Sequence, residues 1–134
     1  MIYLFGTGCW KTSEKIVKIG FTDDPGEREK AYLLHNPKGE FLGWREGGRE
    51  LETKLHLRLK DFKQDFLDEW FYYEPEVEEV FGTPEPEIDK WLWENRLEVF
   101  FNPWMPEPGS KKRKIYDMLS QKYNKGKVEG EKGL

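Results

Sequence analysis

The first 56 residues contain side chains that together could bind an anion, hold a cation and transfer a proton. Arg28 offers a planar guanidinium with paired donors, and Tyr32, four residues later, lies on the same face of a helix. Glu52 and His56 share that spacing and offer a carboxylate ligand for a hard cation and an imidazole that titrates near neutral pH. Tyr3 adds a phenol that can donate or accept a hydrogen bond. These groups can act together only if the elements between them bring them to one place.

The pattern of apolar residues predicts five elements in this part of the chain. Alternating or continuous apolar residues indicate strands, and apolar residues every three to four positions indicate helices. The start of the first helix is marked by Asp24 as the cap, Pro25 at the first helical position and Glu27 to complete a capping box. The predicted order is strand, strand, helix, strand, helix, over residues 2–5, 16–21, 24–34, 40–45 and 49–62.

Beyond residue 69 the sequence predicts a short aromatic segment, three helices and two breaks. The helices are predicted at Pro75–Phe81, Ile88–Phe101 and Lys112–Lys125. Prolines and glycines mark the breaks, at Gly82–Glu87 and Pro103–Gly109. We therefore expect two domains, residues 1–81 and a helical extension over residues 82–134.

Five short strings in a fixed order carry a resemblance to a known family. They are IYLFG, KIVKIGFT, DPGEREKAYLL, GRELETKLHLRLKDF and EWFYY, and they lie between residues 2 and 73. This order resembles the GIY-YIG nuclease superfamily, in its phage and bacterial branch in which the second motif reads KIG. The resemblance implies an α/β (α+β) fold, with a small three-stranded antiparallel sheet flanked by helices. Here a C-terminal helical extension would be added.

The resemblance also implies a catalytic site. Tyr3 matches the tyrosine near the attacking water, and Arg28 matches the arginine that contacts the scissile phosphate. Tyr32 projects from the same helix face as Arg28. Glu52 matches the glutamate that binds one divalent cation, Mg²⁺ or Mn²⁺, and Glu50 competes with it less well.

Lys18 is the main departure from the family pattern. It stands where many members have a second tyrosine, the general base, and a lysine with an ordinary pKa of about 10.4 is a poor base at neutral pH. Either its surroundings lower that pKa, or Lys18 stays charged and binds phosphate. In the second case Tyr3, Tyr32 or a histidine handles the proton.

Two histidines and one aromatic segment either stay open or are expected to be structural. His56 is a candidate to orient a metal-bound water or to act as a base, and it is equally a candidate to stabilise its helix. His35 is expected to be a helix cap or a surface residue. The segment Glu69–Phe71 is expected to belong to the core.

Charge is unevenly distributed along the chain. The net charge is −4, but residues 111–127 carry seven Lys and Arg and one acid, Asp117. Such a basic segment is either a solvated terminus or a contact for nucleic-acid phosphates. The candidate contacts are Lys111, Lys112, Arg113, Lys114, Lys122 and Lys125.

These observations favour a metal-dependent endonuclease or nickase that acts on DNA, with RNA as the other choice of substrate. The alternatives are a catalytically inactive nucleic-acid-binding module of the same fold and a protein–protein adaptor that uses the Trp-rich segment 91–104. One cysteine, Cys9, and the absence of a long apolar run predict a cytoplasmic protein with no membrane partner. We expect the host cytoplasm if the chain is phage-encoded. Oligomeric state is not predicted.

Overall fold

A computed structural model describes residues 1–7, 15–64, 69–101 and 105–132, with side chains through residue 124. Cys9, Trp104 and the side chain of Lys125 lie outside the described part. The chain forms two compact units, Met1–Thr83 and Pro84–Leu134. Whether residues 1–81 and 82–134 are domains that fold by themselves stays a prediction.

The first unit is built on an antiparallel sheet. Its strands are β1 (Ile2–Gly6), β2 (Ile16–Phe21), β3 (Glu40–Arg45) and β4 (Trp70–Tyr72), in the spatial order β3-β1-β2-β4. The predicted class, a mixed α/β fold with an antiparallel sheet, is confirmed. The expected count of three strands is wrong, because β4 pairs with the free edge of β2 over Ile16–Lys18.

Helix α1 (Pro25–His35) lies on one face of this sheet. Asp24 caps it, because the Asp24 carboxylate accepts a hydrogen bond from the Glu27 amide at 3.1 Å. The reciprocal half of the capping box is replaced, since the Asp24 amide donates to the Thr22 hydroxyl at 3.1 Å. The ring of Tyr32 on α1 contacts the rings of Tyr3 and Phe5, so α1 covers the face to which the side chains of odd-numbered β1 residues point.

Helix α2 (Arg49–Arg58) covers the opposite face of the sheet. Its leucines Leu51 and Leu55 are buried, and its His56 ring lies 5.3 Å from the ring of Phe71. Phe71 pairs with Val17, whereas Lys18 pairs with the next residue, Trp70, so His56 and Lys18 belong to opposite faces. A 3₁₀ helix, Lys60–Phe62, continues the chain after α2.

Helix α3 (Pro75–Phe81) closes the first unit on the outer strand. A Cβ added to Gly43 on β3 would lie 2.9 Å from the Phe81 ring, so glycine makes room for that ring. The Arg45 guanidinium donates to the backbone carbonyls of Phe81 and Thr83. Arg45 therefore ties strand β3 to the end of α3, where helical carbonyls lack partners within the helix.

The second unit consists of α4 (Glu85–Glu94), α5 (Arg96–Val99) and α6 (Lys111–Lys132). The predicted linker Gly82–Glu87 is too long, because prolines are tolerated in a first helical turn and α4 already starts at Glu85. The helix predicted over Ile88–Phe101 is interrupted at Asn95, whose amide and side chain both donate to the Trp91 carbonyl. Helix α6 is longer than the predicted range Lys112–Lys125.

Within the second unit, α4 packs against α6. The rings of Trp93 and Tyr123 stack 5.8 Å apart at 8°, and Lys122 lies 3.5 Å from Asp89. Buried aliphatic residues form the rest of the contact, namely Ile88, Leu92, Ile115 and Leu119. Within the described residues, no helix is both long and apolar enough to cross a membrane.

Candidate active site

The Tyr3 ring fits at the centre of the sheet because the residue opposite it has no side chain. Strand β1 places Tyr3 across from Gly20 on β2, and Tyr3 is only 1% exposed. A Cβ at Gly20 would collide with the phenol oxygen and the ring carbon that carries it. Gly20, the glycine of the KIG motif, is therefore needed because the Tyr3 ring lies directly over its backbone.

The Tyr32 hydroxyl is the point at which three other polar side chains meet. Lys18 Nζ donates to it at 2.6 Å, the Tyr3 hydroxyl lies 2.7 Å away, and Arg28 Nη1 donates at 3.4 Å. These groups come from β2, β1 and α1. Either hydroxyl of the Tyr3–Tyr32 pair can donate to the other. When Tyr3 donates, three donors surround the Tyr32 oxygen, which matches its ionised form better, because a neutral phenol oxygen has two lone pairs.

The pKa values of the two phenols of the cluster are shifted in opposite directions. Burial raises the pKa of Tyr3 above its ordinary value, and its hydrogen bond to Tyr32 raises it further. Burial also works to raise the pKa of Tyr32, but the hydrogen bonds from Lys18, Tyr3 and Arg28 outweigh it, and the net pKa is lowered. Tyr32 is therefore the phenol of this pair that loses its proton first.

Lys18 has a second partner, the carboxylate of Glu69, at 3.4 Å. The Lys18 side chain is 18% exposed, and the Glu69 side chain is 41% exposed. Glu69 therefore borders the cluster and is not a core residue, so the expectation that Glu69 is core is wrong. Phe71 is buried as expected, and Trp70 is half-buried.

Sequence reasoning did not identify Glu69 as a neighbour of the cluster. Its φ is +70°, in the left-handed region that residues other than glycine rarely adopt. Its carbonyl accepts a hydrogen bond from the Ile19 amide at 3.1 Å. The available signal is an acid placed directly before an aromatic segment, and it becomes informative only once that segment is known to pair with the strand of Lys18.

Arg28 faces both the cluster and a surface pocket of about 410 Å³. Its guanidinium carbon lies 5.9 Å from the centre of the Tyr3 ring and 5.5 Å from that of Tyr32. The pocket is lined by Thr22, Asp23, Asp24, Glu27, Arg28, Ala31 and Tyr32. One guanidinium thus faces three carboxylates, so an anion bound in this pocket would depend on Arg28 or on an added cation.

Glu52 is not among the side chains that meet at Tyr32 Oη. It is 8% exposed and lies in the first half of α2, on the helix that covers the other face of the sheet. Arg49, one turn earlier, places its guanidinium carbon 5.1 Å from the centre of the Phe21 ring, at the end of β2 that leads into the pocket. A ligand shared by Arg28 and Glu52 would therefore have to pass around that end of the strand.

The two histidines have different surroundings. The His56 Nε2 lies 2.8 Å from the Ile19 carbonyl oxygen, and since a carbonyl can only accept, Nε2 carries the proton. This bond and the Phe71 contact attach α2 to the sheet, which is the structural alternative for His56; its catalytic role stays a prediction. His35 is exposed in the last turn of α1.

Comparison with protein families gives one match. The profile of the T5orf172 domain matches residues 1–92, which is more than half of the chain. The chain belongs to the T5orf172 domain family. This is a GIY-YIG-like, nuclease-associated family. Neither the search of curated proteins nor the search of solved structures gives a match.

The predicted phosphate contacts of α6 lie outside the matched T5orf172 domain, and their surroundings differ. Lys111, Lys112 and Lys114 are exposed in the first turn. Arg113 is engaged by Asp117 at 3.1 Å and by the Pro106 carbonyl at 3.2 Å. Lys122 pairs with Asp89, and the Lys125 side chain lies outside the described part.

Proposed function

We propose that the T5orf172 unit is a metal-dependent endonuclease or nickase of GIY-YIG type that hydrolyses DNA phosphodiester bonds. The observation that carries the proposal is the convergence of Lys18, Arg28 and Tyr3 on the Tyr32 hydroxyl. A phenol surrounded by donors, with a guanidinium beside it, combines a proton acceptor with an anion binder. The nuclease association of the family supports the same class of reaction.

Arg28 binds the scissile phosphate in this proposal. Its guanidinium lies beside the two tyrosine rings and lines the pocket. Negative charge increases on the phosphate oxygens as water attacks, and a fixed guanidinium stabilises that charge at no cost of reorganisation.

Tyr32 is the general base. The attacking water gives one proton to the Tyr32 phenolate as its oxygen bonds to phosphorus. The bond from phosphorus to the leaving oxygen breaks, and the leaving oxygen takes a proton from solvent. Lys18 acts as the donor that stabilises the ionised form of Tyr32, because its Nζ lies 2.6 Å from the Tyr32 oxygen. This division of roles explains how a lysine in place of the second motif tyrosine is compatible with catalysis.

Glu52 would hold the divalent cation, Mg²⁺ or Mn²⁺, which supplies positive charge to the phosphate oxygens. Among the described residues, no group of three His, Cys, Asp or Glu side chains could hold a metal ion. In this proposal Glu52 would be the one protein carboxylate on a cation that keeps most of its water, as Mg²⁺ commonly does.

Plasmid cleavage in the presence of Mg²⁺ tests the proposal. We expect Arg28→Ala and Tyr32→Phe to reduce the rate by about 10²- to 10⁴-fold, the range of acid–base and charge-stabilising groups. The matched controls are Lys30→Ala, an exposed cation on the same helix, and Tyr72→Phe, an exposed tyrosine on β4. Equal cleavage by all four variants would contradict the roles assigned to Arg28 and Tyr32.

Binding without cleavage is the second candidate, and the position of Glu52 favours it. Since α2 covers the face of the sheet opposite Tyr32, the carboxylate and the phenol do not meet directly. A chain that binds DNA and leaves plasmid intact with both Mg²⁺ and Mn²⁺ would establish this candidate. The adaptor alternative has less support, because Trp91 and Trp93 are half-buried and Trp93 stacks on Tyr123.

A further inference from the structure

We propose that Glu69 is a positioning residue whose carboxylate holds the Lys18 ammonium against the Tyr32 hydroxyl. Lys18 Nζ lies between the two oxygens, 3.4 Å from Glu69 Oε2 and 2.6 Å from Tyr32 Oη. A lysine side chain has four rotatable bonds and large rotamer entropy, so a second anchor restricts where its ammonium can be. The proposal deepens the proposed function, because it rests on Tyr32 as the base.

The backbone of Glu69 supports a role beyond that of a surface ion pair. A φ of +70° is unfavourable for a residue with a Cβ, and glycine or asparagine would adopt it more easily. Such strain persists where the surrounding structure requires it, and it is concentrated at functional sites. Here the strained residue is fixed by the bond from the Ile19 amide to its carbonyl, one residue from Lys18.

The charges around Tyr32 make the proposal testable, because a purely electrostatic role and a positioning role of Glu69 would shift the pKa of Tyr32 in opposite directions. Tyr32 is faced by Lys18 from β2, Arg28 from α1 and Tyr3 from β1, and the Glu69 carboxylate adds a negative charge beside Lys18. If Glu69 acted only through its charge, removing that charge would lower the pKa of Tyr32. If Glu69 positions Lys18, removing it frees the ammonium, weakens the bond to Tyr32 and raises the pKa of Tyr32.

The experiment is a titration of ¹³C-labelled tyrosines by NMR in the full chain, with Tyr32→Phe to identify the Tyr32 signal among the six tyrosines. Three variants are compared with the wild type. Glu69→Gln and Glu69→Gly should raise the pKa of Tyr32, while Glu69→Asp, which keeps a carboxylate and tolerates positive φ, should leave it near the wild-type position. A lowered or unchanged pKa in both Gln and Gly variants would overturn the proposal.

The thermal stability of Glu69→Gly distinguishes a positioning role of Glu69 from a purely structural one. Glu69→Gly relieves the positive φ, so its Tm should be equal to or above that of the wild type. Its cleavage rate at neutral pH should nevertheless fall by about 10- to 100-fold, the effect of a misplaced catalytic group. A Gly variant with wild-type cleavage rate contradicts the proposal. If the wild type does not cleave at all, the proposed function fails, and the titration still decides whether Glu69 positions Lys18.

Discussion

The hydroxyl oxygens of Tyr3 and Tyr32 lie 2.7 Å apart, and the pKa values of the two phenols are shifted in opposite directions. Tyr3 is the more buried of the two, and its pKa is raised. Tyr32 receives donors from Lys18 and Arg28 as well, and its pKa is lowered. Two phenols in direct contact thus differ in acidity, and Tyr32 loses its proton at a lower pH than Tyr3.

This contact predicts the pH dependence of cleavage. Since the base must be ionised, the rate should increase with pH through a Tyr32 pKa that lies below the ordinary value of about 10. Tyr3→Phe removes one donor from the Tyr32 oxygen, so the pKa of Tyr32 rises and the rate profile should move to higher pH. The measurement is the pH profile of kcat/KM.

Tyr72→Phe is the control for that profile. Tyr72 is exposed on β4, and its loss should leave the profile in place. A profile that does not move in Tyr3→Phe would mean that another group limits the rate.

Gly20→Ala should destabilise the first unit. The new methyl group would collide with the Tyr3 phenol, and the interior must shift at a cost of about 1–3 kcal/mol. Gly26→Ala is the matched control, because a Cβ there meets only the Asp24 carboxylate at 3.7 Å and alanine favours a helix. Thermal unfolding measures both. Equal Tm values for the two variants would contradict the close approach of Tyr3 to Gly20.

Glu52→Gln should raise the Mg²⁺ concentration needed for half-maximal cleavage, because the variant loses the charged ligand. Glu50→Gln is the matched control, since Glu50 is exposed and points to another side of α2. A Mg²⁺ titration of the rate distinguishes the two. The assignment of Glu52 would be wrong if Glu50→Gln shifted the titration and Glu52→Gln did not.

The exposed lysines of α6 should set the salt dependence of DNA binding. Replacing Lys111, Lys112 and Lys114 with glutamine should reduce the slope of log K against log salt by about 0.9 for each lost phosphate contact. Lys90→Gln, which replaces an exposed lysine of α4, should leave the slope unchanged. Fluorescence anisotropy of a labelled duplex measures both. Substitution is preferable to truncation, because α6 also contributes the buried Ile115 and Leu119.

Local sequence signals predicted most of the first unit. Strands β1, β2 and β3 and helices α1, α2 and α3 were expected from periodicity, prolines and the Asp24 cap, and these signals act within a few residues. Strand β4 was missed because three residues are too few to show alternation, and its stability comes from pairing with β2. The break at Asn95 was missed because it depends on hydrogen bonds to the Trp91 carbonyl, within a stretch that is otherwise helical in pattern.

Four members of the cluster could be predicted from the sequence, but the place of Glu69 beside it and the organisation of the cluster could not. Tyr3, Lys18, Arg28 and Tyr32 were all named from the sequence, and they meet at one oxygen. That this oxygen belongs to Tyr32 depends on the packing of α1 against the sheet, which no local pattern specifies. The positive φ of Glu69 is likewise imposed by its neighbours, because glutamate has no intrinsic preference for it.

The bonds from Arg45 to the carbonyls of Phe81 and Thr83 bear on how the nuclease-like unit should be isolated. A shortened chain that stops at residue 81 would remove the Thr83 carbonyl, which accepts a hydrogen bond from this guanidinium at the outer margin of the sheet. An expressed fragment that extends beyond Thr83 keeps both hydrogen bonds from Arg45. The last two residues before the second unit are therefore part of what must be retained when the first is produced alone.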